Sequence, residues 1–322
     1  MGKCKYTSIG GQALIEGIMM RGEKTALAVR KPDGNIDLSY MDYTPITKKH
    51  KVLGLPIIRG VVTFVESMLF GYKALMKSAE ISEFTTEDEV KGTERSEEEK
   101  KKESVILTVI MGVASVLAIL LCFVLFLYLP ALALDGLAFL TSDKILRFAP
   151  VIEGFIRLLI LVLYMYGVSR MKEIKRVFMY HGAEHKTIFC YEHKKELTVE
   201  NVREEKRFHP RCGTSFLALM VLVSIVVSSA ISVLWPTLRE DSTIIWVLIK
   251  LLLVPLVCGI GYELIKICGK HDNIFTKIIS APGMWFQHIT TVEPEDDMIE
   301  IAIAAMNAVI PERQEKTEND CI

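Results

Sequence analysis

Two long stretches of this chain contain no charged residue, and they constrain its fold more than any other feature. They cover residues 105–134 and 213–238. A helix needs about 20 apolar residues to cross the roughly 30 Å of hydrocarbon in a bilayer, so each stretch is long enough to span a membrane. Residues 150–170 and 243–266 are also apolar, with few charges. The sequence therefore predicts an all-α integral membrane protein with four transmembrane helices, at 105–129, 150–170, 213–235 and 243–266.

The predicted spans are not entirely free of charge. Glu153 and Arg157 are four residues apart, so they can pair on one helix face. Lys250 lies near the end of its span, where we expect its side chain to extend to the membrane surface without a functional role. The whole chain has a net charge of −1 and a mean hydropathy of +0.33. This balance argues against a nucleic-acid binder and indicates the lipid bilayer as partner, while substrate and oligomeric state stay undetermined.

Lysine and arginine are distributed unevenly among the polar segments between the predicted spans. Residues 91–102 contain five of them and residues 170–211 contain eleven. The loop between the first and second spans contains only Lys144 and Arg147, and the loop between the third and fourth spans contains only Arg239. Because basic segments stay on the cytoplasmic side, we expect both termini and the loop 171–212 to be cytoplasmic.

The remaining segments predict the domain organisation. Strand-like runs at 25–30 and 35–40 flank the turn sequence KPDG, which indicates a small β element. Pro282 and Gly283 predict a turn, and Pro294 suits the first residue of a helix. The predicted divisions are a cytoplasmic β-containing region at 1–52, an interfacial or re-entrant helix at 53–80, a charged linker at 81–104, a four-span membrane domain at 105–270 that includes a cytoplasmic helical loop at 171–212, a C-terminal cytoplasmic segment with a helix at 271–310, and a disordered tail at 311–322.

The loop 171–212 contains the sequence HGAEH, with His181 and His185 four residues apart and Glu184 beside the second. On a helix this spacing puts both imidazoles on one face, where they can bind one metal ion. HxxEH is the mirrored order of the zinc-hydrolase motif, in which the glutamate is the general base. Alternatively, both are packed, hydrogen-bonded histidines at a membrane interface.

Three further residues are candidate metal ligands. His209 and Cys212 are three apart at the start of the third span, and imidazole and thiolate are good zinc ligands. Glu263 is a carboxylate inside an apolar span, which indicates function by default. The alternatives are a packing role for Cys212 and a salt bridge between Glu263 and a basic loop residue such as Arg170. The polar residues Gln287, His288, Thr290, Thr291 and Glu293 either line a site or cap the following helix, and we expect capping.

Five motifs in order, GGQALIEGIMMRG, YHGAEHK, HPRCGTSF, GYELIK and PG-x3-Q-x2-TT-x-EP, resemble the YqhQ-like bacterial membrane proteins. The resemblance covers nearly the whole chain apart from 81–104 and the tail. It implies a bacterial inner membrane protein with a domain of unknown function, labelled a predicted metal-dependent enzyme, and it supplies no substrate. The matching positions are Gln12, Glu16, His181, Glu184, His185, His209, Cys212, Glu263, Gln287 and Glu293.

These observations lead to two main hypotheses; a transporter is a third, less favoured because only Glu263 and the Glu153–Arg157 pair place charge inside the spans. The first is a hydrolase that depends on a divalent metal of zinc type, bound by His181, His185 and a third ligand from His209, Cys212 or Glu263, with Glu184 as general base. The second is a non-catalytic membrane scaffold or sensor with a structural metal site. A metal site closed by four protein ligands would favour the second hypothesis, and a site with an open coordination position would favour the first.

Overall fold

The computed structural model describes residues 9–49, 51–82, 97–141, 143–210, 212–235, 242–270 and 273–310. Four strands form an antiparallel sheet in the order β1-β2-β3-β4. They are β1 Gly10–Leu14, β2 Gly17–Arg21, β3 Thr25–Arg30 and β4 Ile36–Tyr40. The longer helices are α1 Ile58–Ile81, α2 Glu97–Phe123, α3 Leu129–Leu140, α4 Ala149–Val168, α5 Lys172–Glu192, α6 Val199–Arg203, α7 Gly213–Leu234, α8 Thr243–Lys270, α9 Ile274–Thr290 and α10 Asp296–Asn307. This arrangement confirms the predicted fold class.

Four of these segments are long and apolar enough to cross a membrane: Gly112–Leu140, Ala149–Val168, Phe216–Leu234 and Thr243–Cys268. The predicted end of the first span, at residue 129, was wrong, because the helical segment continues beyond this residue. A π-helical turn at Val124–Tyr128 precedes Pro130. Pro130 has no N–H for the carbonyl of Phe126, four residues earlier, and the Arg157 Nε donates to that oxygen at 2.7 Å.

The chain divides into two compact units. The first comprises the described parts of Met1–Phe84, Tyr164–Met220 and Cys258–Ile322, and the second those of Thr85–Leu163 and Val221–Val257. The second unit buries a charged cluster: Glu153 pairs with Arg157 at 3.3 Å, as predicted, and also with Lys250. The expectation for Lys250 was wrong, since its side chain is buried beside this carboxylate.

The sheet in the first unit is covered on both faces, because successive side chains of a strand point to opposite sides. On β2, Ile18 and Met20 join a core with α5 and α10, whereas Met19 joins a separate core with α1. The same alternation applies to β3. The hairpin β1–β2, which the sequence left unassigned, thereby lies directly against α5.

Helix α1 occupies most of the predicted segment 53–80. Its Gly60 approaches Gly259 of α8 so closely that an added Cβ would lie 3.0 Å from the Cα of Gly259. The Phe64 ring lies 5.4 Å from that of Phe216 at the start of the third span. The face with Val65, Met68, Leu69, Tyr72 and Met76 is exposed.

Other predicted boundaries differ from the structure. Residues 97–104 of the predicted linker are helical, because α2 begins at Glu97; residues 83–96 and the tail 311–322 lie outside the described residues. The predicted turn at Pro282 is wrong: α9 passes through this proline. This helix begins at an Asn273–Thr276 capping box. Helix α10 begins at Asp296, two residues after Pro294.

Candidate metal centre

Three side chains with metal-binding atoms converge in the first unit. His181 and His185 come from α5 and Cys212 from the residue before α7, and their ligand atoms all lie within 4.8 Å of one another. The Nε2 of His181 is 3.1 Å from the Sγ of Cys212. Tetrahedral zinc sites separate such donors by about 3.3–3.6 Å, given their bond lengths. All three residues are between 2% and 9% exposed, so the cluster is buried.

Backbone carbonyls orient both imidazoles. The Nδ1 of His181 donates to the carbonyl of Thr290 at 2.8 Å, and the Nδ1 of His185 donates to that of Arg207 at 2.5 Å. Because a carbonyl only accepts, both Nδ1 atoms carry the proton and both Nε2 atoms offer a lone pair. Metal-binding histidines commonly have such a partner on the second nitrogen.

The environment of Cys212 favours its thiolate. Burial by itself raises the pKa of this thiol, but its interactions with His185 and Thr214 outweigh burial and lower the pKa. The Thr214 N–H, in the first turn of α7, points to the Sγ at 3.4 Å. Burial, followed by the effect of His181, lowers the pKa of His185. Thiolate and neutral imidazole are the forms that bind metal.

Glu184 is buried next to this cluster. Burial raises the pKa of its carboxyl to about 7, against the opposing effects of His181 and of the Gly11 N–H, which donates to it. A Cβ on Gly11 would lie 2.9 Å from the Glu184 carboxyl carbon and 2.8 Å from the carbonyl of Met19. Strand β1 therefore needs glycine here to approach Glu184. His181 and Cys212 both affect this pKa, so the carboxyl lies close to the centre, although it is not part of the three-donor group.

His209 lies beside the centre but outside the three-donor group. Its ring is 5.6 Å from that of His185, and its Nε2 is 3.7 Å from a carboxylate oxygen of Glu192. The backbone of His209 is held by the Gln287 side chain, whose Oε1 accepts from its N–H at 2.8 Å and whose Nε2 donates to its carbonyl at 2.7 Å. Gln287 thus fixes the segment that leads to Cys212, and the expected capping role is wrong for this residue.

Glu263 has a different partner from those expected. Its carboxylate forms two hydrogen bonds with the Arg59 guanidinium on α1, at 2.6 Å and 2.5 Å. Arg170, the alternative partner, lies over the ring of Tyr166. The three-donor group does not include Glu263.

Several residues that build the centre were missed by the sequence analysis. The backbone carbonyls of Arg207 and Thr290 orient the two imidazoles, and a sequence has no signal for a backbone carbonyl. Glycine at position 182 weakens a helix, yet it is required here because a Cβ would overlap the carbonyl oxygen of Val292. The glycine is visible in the HGAEH motif, but the reason for it is a contact with a segment more than 100 residues away in the chain.

Two other motif residues support the surroundings of the centre. Glu16, with a φ of 48°, accepts two hydrogen bonds from Arg176 on α5, at 2.5 Å and 2.6 Å. Glu293 pairs with buried Lys186 and, at 3.5 Å, with Arg207. These ion pairs connect the β1–β2 turn and the segment after α9 to α5.

Four helices of spanning length and a buried histidine–cysteine cluster define the class: a membrane protein with a candidate metal centre. The family described as "Protein of unknown function (DUF1385)" matches residues 55–312, so the chain belongs to this family. The chain is similar to the uncharacterized protein YqhQ of Bacillus subtilis (strain 168), with 34% identity over 304 residues, which are 94% of this chain and 92% of the relative. The YqhQ-like resemblance is confirmed. No solved structure matches the chain.

Proposed function

We propose that the chain is a metal-dependent hydrolase whose centre consists of His181, His185 and Cys212, with Glu184 as the acid–base group. The observation that carries this proposal is the three-donor group itself, whose ligand atoms all lie within 4.8 Å of one another, with the His181 Nε2 at 3.1 Å from the Cys212 sulfur. Three protein ligands with a free coordination position are typical of catalytic zinc, whereas structural zinc has four.

The chemistry of this donor set fits a divalent ion of zinc type. Such an ion supplies Lewis-acid activation of a water molecule and of the scissile carbonyl or phosphoryl group. The carbonyls of Thr290 and Arg207 hold the two imidazoles in the tautomer that binds metal. A mixed histidine–cysteine set with a glutamate that is not a ligand also occurs in the zinc deaminases, where the glutamate transfers protons.

Glu184 is positioned to move the proton. Its carboxylate lies next to His181 and Cys212, and the Gly11 N–H fixes its direction. In the proposed reaction a carboxylate oxygen of Glu184 takes a proton from the attacking water and passes it to the leaving group. The proposal leaves the substrate open.

We also propose that the centre is on the cytoplasmic side of the bacterial inner membrane. The uneven distribution of lysine and arginine supports this orientation, since residues 170–211 contain eleven such residues. The exposed apolar face of α1 supports an interfacial position for this helix rather than a fifth span.

A second candidate is a structural or sensing metal site. The depth of burial favours it, because Glu184 and the three donors are all less than a tenth exposed. In this case Glu184, which lies outside the three-donor group, has to move closer to become a fourth ligand that closes the coordination sphere, and the metal stabilises the fold.

The experiment that separates these functions measures metal content and biological activity together. Full-length protein is purified in detergent as wild type and as His181→Ala, Cys212→Ala and Glu184→Gln, and each variant is tested for complementation of a deletion strain. His193→Ala is the matched control, because His193 is an exposed histidine at the end of the same helix.

For the hydrolase, His181→Ala and Cys212→Ala lose the metal. Glu184→Gln keeps it but loses complementation, because loss of a general base typically lowers a rate by about a hundredfold to ten-thousandfold. Loss of metal in Glu184→Gln supports the four-ligand site instead. Absence of metal from the wild type, or full complementation by Glu184→Gln, refutes the hydrolase.

A further inference from the structure

Helix α9 has an exposed apolar stripe. Ile274, Ile278 and Trp285 are 78%, 66% and 59% exposed, and Ala281 between them is also exposed. At about 100° per residue these four side chains fall within an arc of about 60°. Large apolar side chains in one narrow, exposed stripe are typical of a helix with an apolar partner.

The opposite side of α9 forms part of the metal centre. Gln287 holds the backbone of His209, and the carbonyl of Thr290 accepts from His181. Both residues are fully buried and lie about 150° around the helix from the middle of the exposed stripe. One helix therefore joins the centre to the exposed apolar surface.

The position of α9 along the chain places it next to the membrane spans. It begins at Ile274, shortly after α8 ends at Lys270. On the other side of the centre, Cys212 is only four residues before Phe216, where the third candidate span begins, a helical rise of about 6 Å. The third and fourth spans are consecutive, so these two ends lie on the same side of a bilayer.

The residues beside the stripe match the chemistry of a phospholipid surface. Lys277 and His288 are exposed and lie on one edge of the stripe, about 50–70° from its middle. Trp285 is of the residue type enriched at membrane–water interfaces, where its ring lies at the depth of the headgroups. Basic residues next to an apolar stripe suit anionic headgroups above acyl chains.

We propose that α9 lies in the plane of the membrane interface, with Ile274, Ile278 and Trp285 inserted among phospholipids, and that this lipid contact holds the metal centre at the membrane surface. The bilayer is the partner, because α9 continues directly from a spanning helix. The link to the centre rests on the proposed metal site, whereas the lipid contact does not.

The lipid contact is tested in proteoliposomes that contain the full-length protein. The emission of Trp285 is obtained as the difference between wild type and Trp285→Phe. We expect this emission to be quenched by lipids with bromine on the headgroup-proximal part of the acyl chain and to be insensitive to aqueous iodide. Quenching by iodide means a water-exposed helix, and quenching by neither means a protein-covered stripe; either result overturns the proposal.

The link to the centre is tested with Ile278→Glu, which places a charge in the stripe. Its matched control is Leu38→Glu, since Leu38 is an exposed apolar residue on β4. We expect Ile278→Glu to lose bromolipid quenching of Trp285 and to bind zinc about tenfold more weakly, as for a disturbed partner of a metal ligand. Leu38→Glu changes neither quantity.

Two results would contradict this link. Unchanged quenching in Ile278→Glu shows that the stripe does not contact lipid, and lost quenching with unchanged zinc affinity shows that the lipid contact does not hold the centre. If the wild type binds no zinc, the proposed function fails and the link with it, while the quenching data still decide whether α9 contacts lipid.

Discussion

The substitution Gly182→Ala tests the packing around the centre, because two physical effects predict opposite signs. In a helix, alanine is favoured over glycine by about 1 kcal/mol. In the structure, however, the new methyl group would overlap the carbonyl oxygen of Val292, so the segment after α9 must move by roughly 1 Å or more to restore ordinary contact of about 3.5 Å.

That movement has a cost that can be assessed. Overpacking costs about 1–3 kcal/mol, and loss of the hydrogen bond from the Val292 N–H to the Phe178 carbonyl, 2.9 Å in the structure, adds about 1 kcal/mol. After subtraction of the helix propensity, Gly182→Ala is expected to lower the free energy of unfolding by about 1–3 kcal/mol. Zinc affinity falls too, because Thr290, which orients His181, precedes Val292 closely.

The assay is thermal denaturation in detergent, together with a zinc titration. Gly167→Ala is the matched control: Gly167 is also helical, but its added Cβ would meet no atom within 4 Å, so we expect unchanged or slightly higher stability. If Gly182→Ala is as stable as the wild type and binds zinc equally well, the close approach of the two segments is refuted.

Three further predictions concern the polar contacts. Gln287→Leu is expected to weaken zinc binding about tenfold to a hundredfold, measured by titration, because the backbone of His209 loses both amide hydrogen bonds. Glu263→Leu is expected to keep full metal content but to lower the denaturation temperature, because its carboxylate pairs with Arg59 and not with the centre. Glu153→Leu leaves two buried cations without their shared carboxylate, so we expect a loss of about 3–5 kcal/mol, seen as poor yield of folded protein.

Sequence alone predicts the spans well because apolar length is a local property. The second, third and fourth spans follow directly from apolar stretches with few charges. The first span was placed too early, since the helical segment passes through a π-helical turn and Pro130, where the Phe126 carbonyl accepts from Arg157, 31 residues away. Helix α9 was missed for a similar reason, since the Pro282–Gly283 pair is a turn signal locally and a helix interior in the fold.

For the centre, the sequence indicates chemistry better than geometry. The HxxEH spacing and the thiol of Cys212 identified the three donors that the structure brings together. His209 and Glu263 have equally suitable atoms, but their positions depend on packing against Glu192 and Arg59, which no local pattern encodes. Residue type therefore indicates which side chains can bind a metal, and only the tertiary contacts determine which of them lie close together.

Because tertiary contacts bring the three metal-binding side chains together, metal binding and folding are expected to be coupled in this protein. The two histidines share one helix, but their tautomers are set by Thr290 and Arg207, and the sulfur comes from Cys212. In the unfolded chain these groups are not close together, so the donors converge only when α5, α9 and the segment before α7 have packed. A metal that binds only this arrangement stabilises the folded state by its binding free energy. Chelation should therefore lower the denaturation temperature of the wild type but leave that of His181→Ala unchanged, and an equal effect on both would refute the coupling.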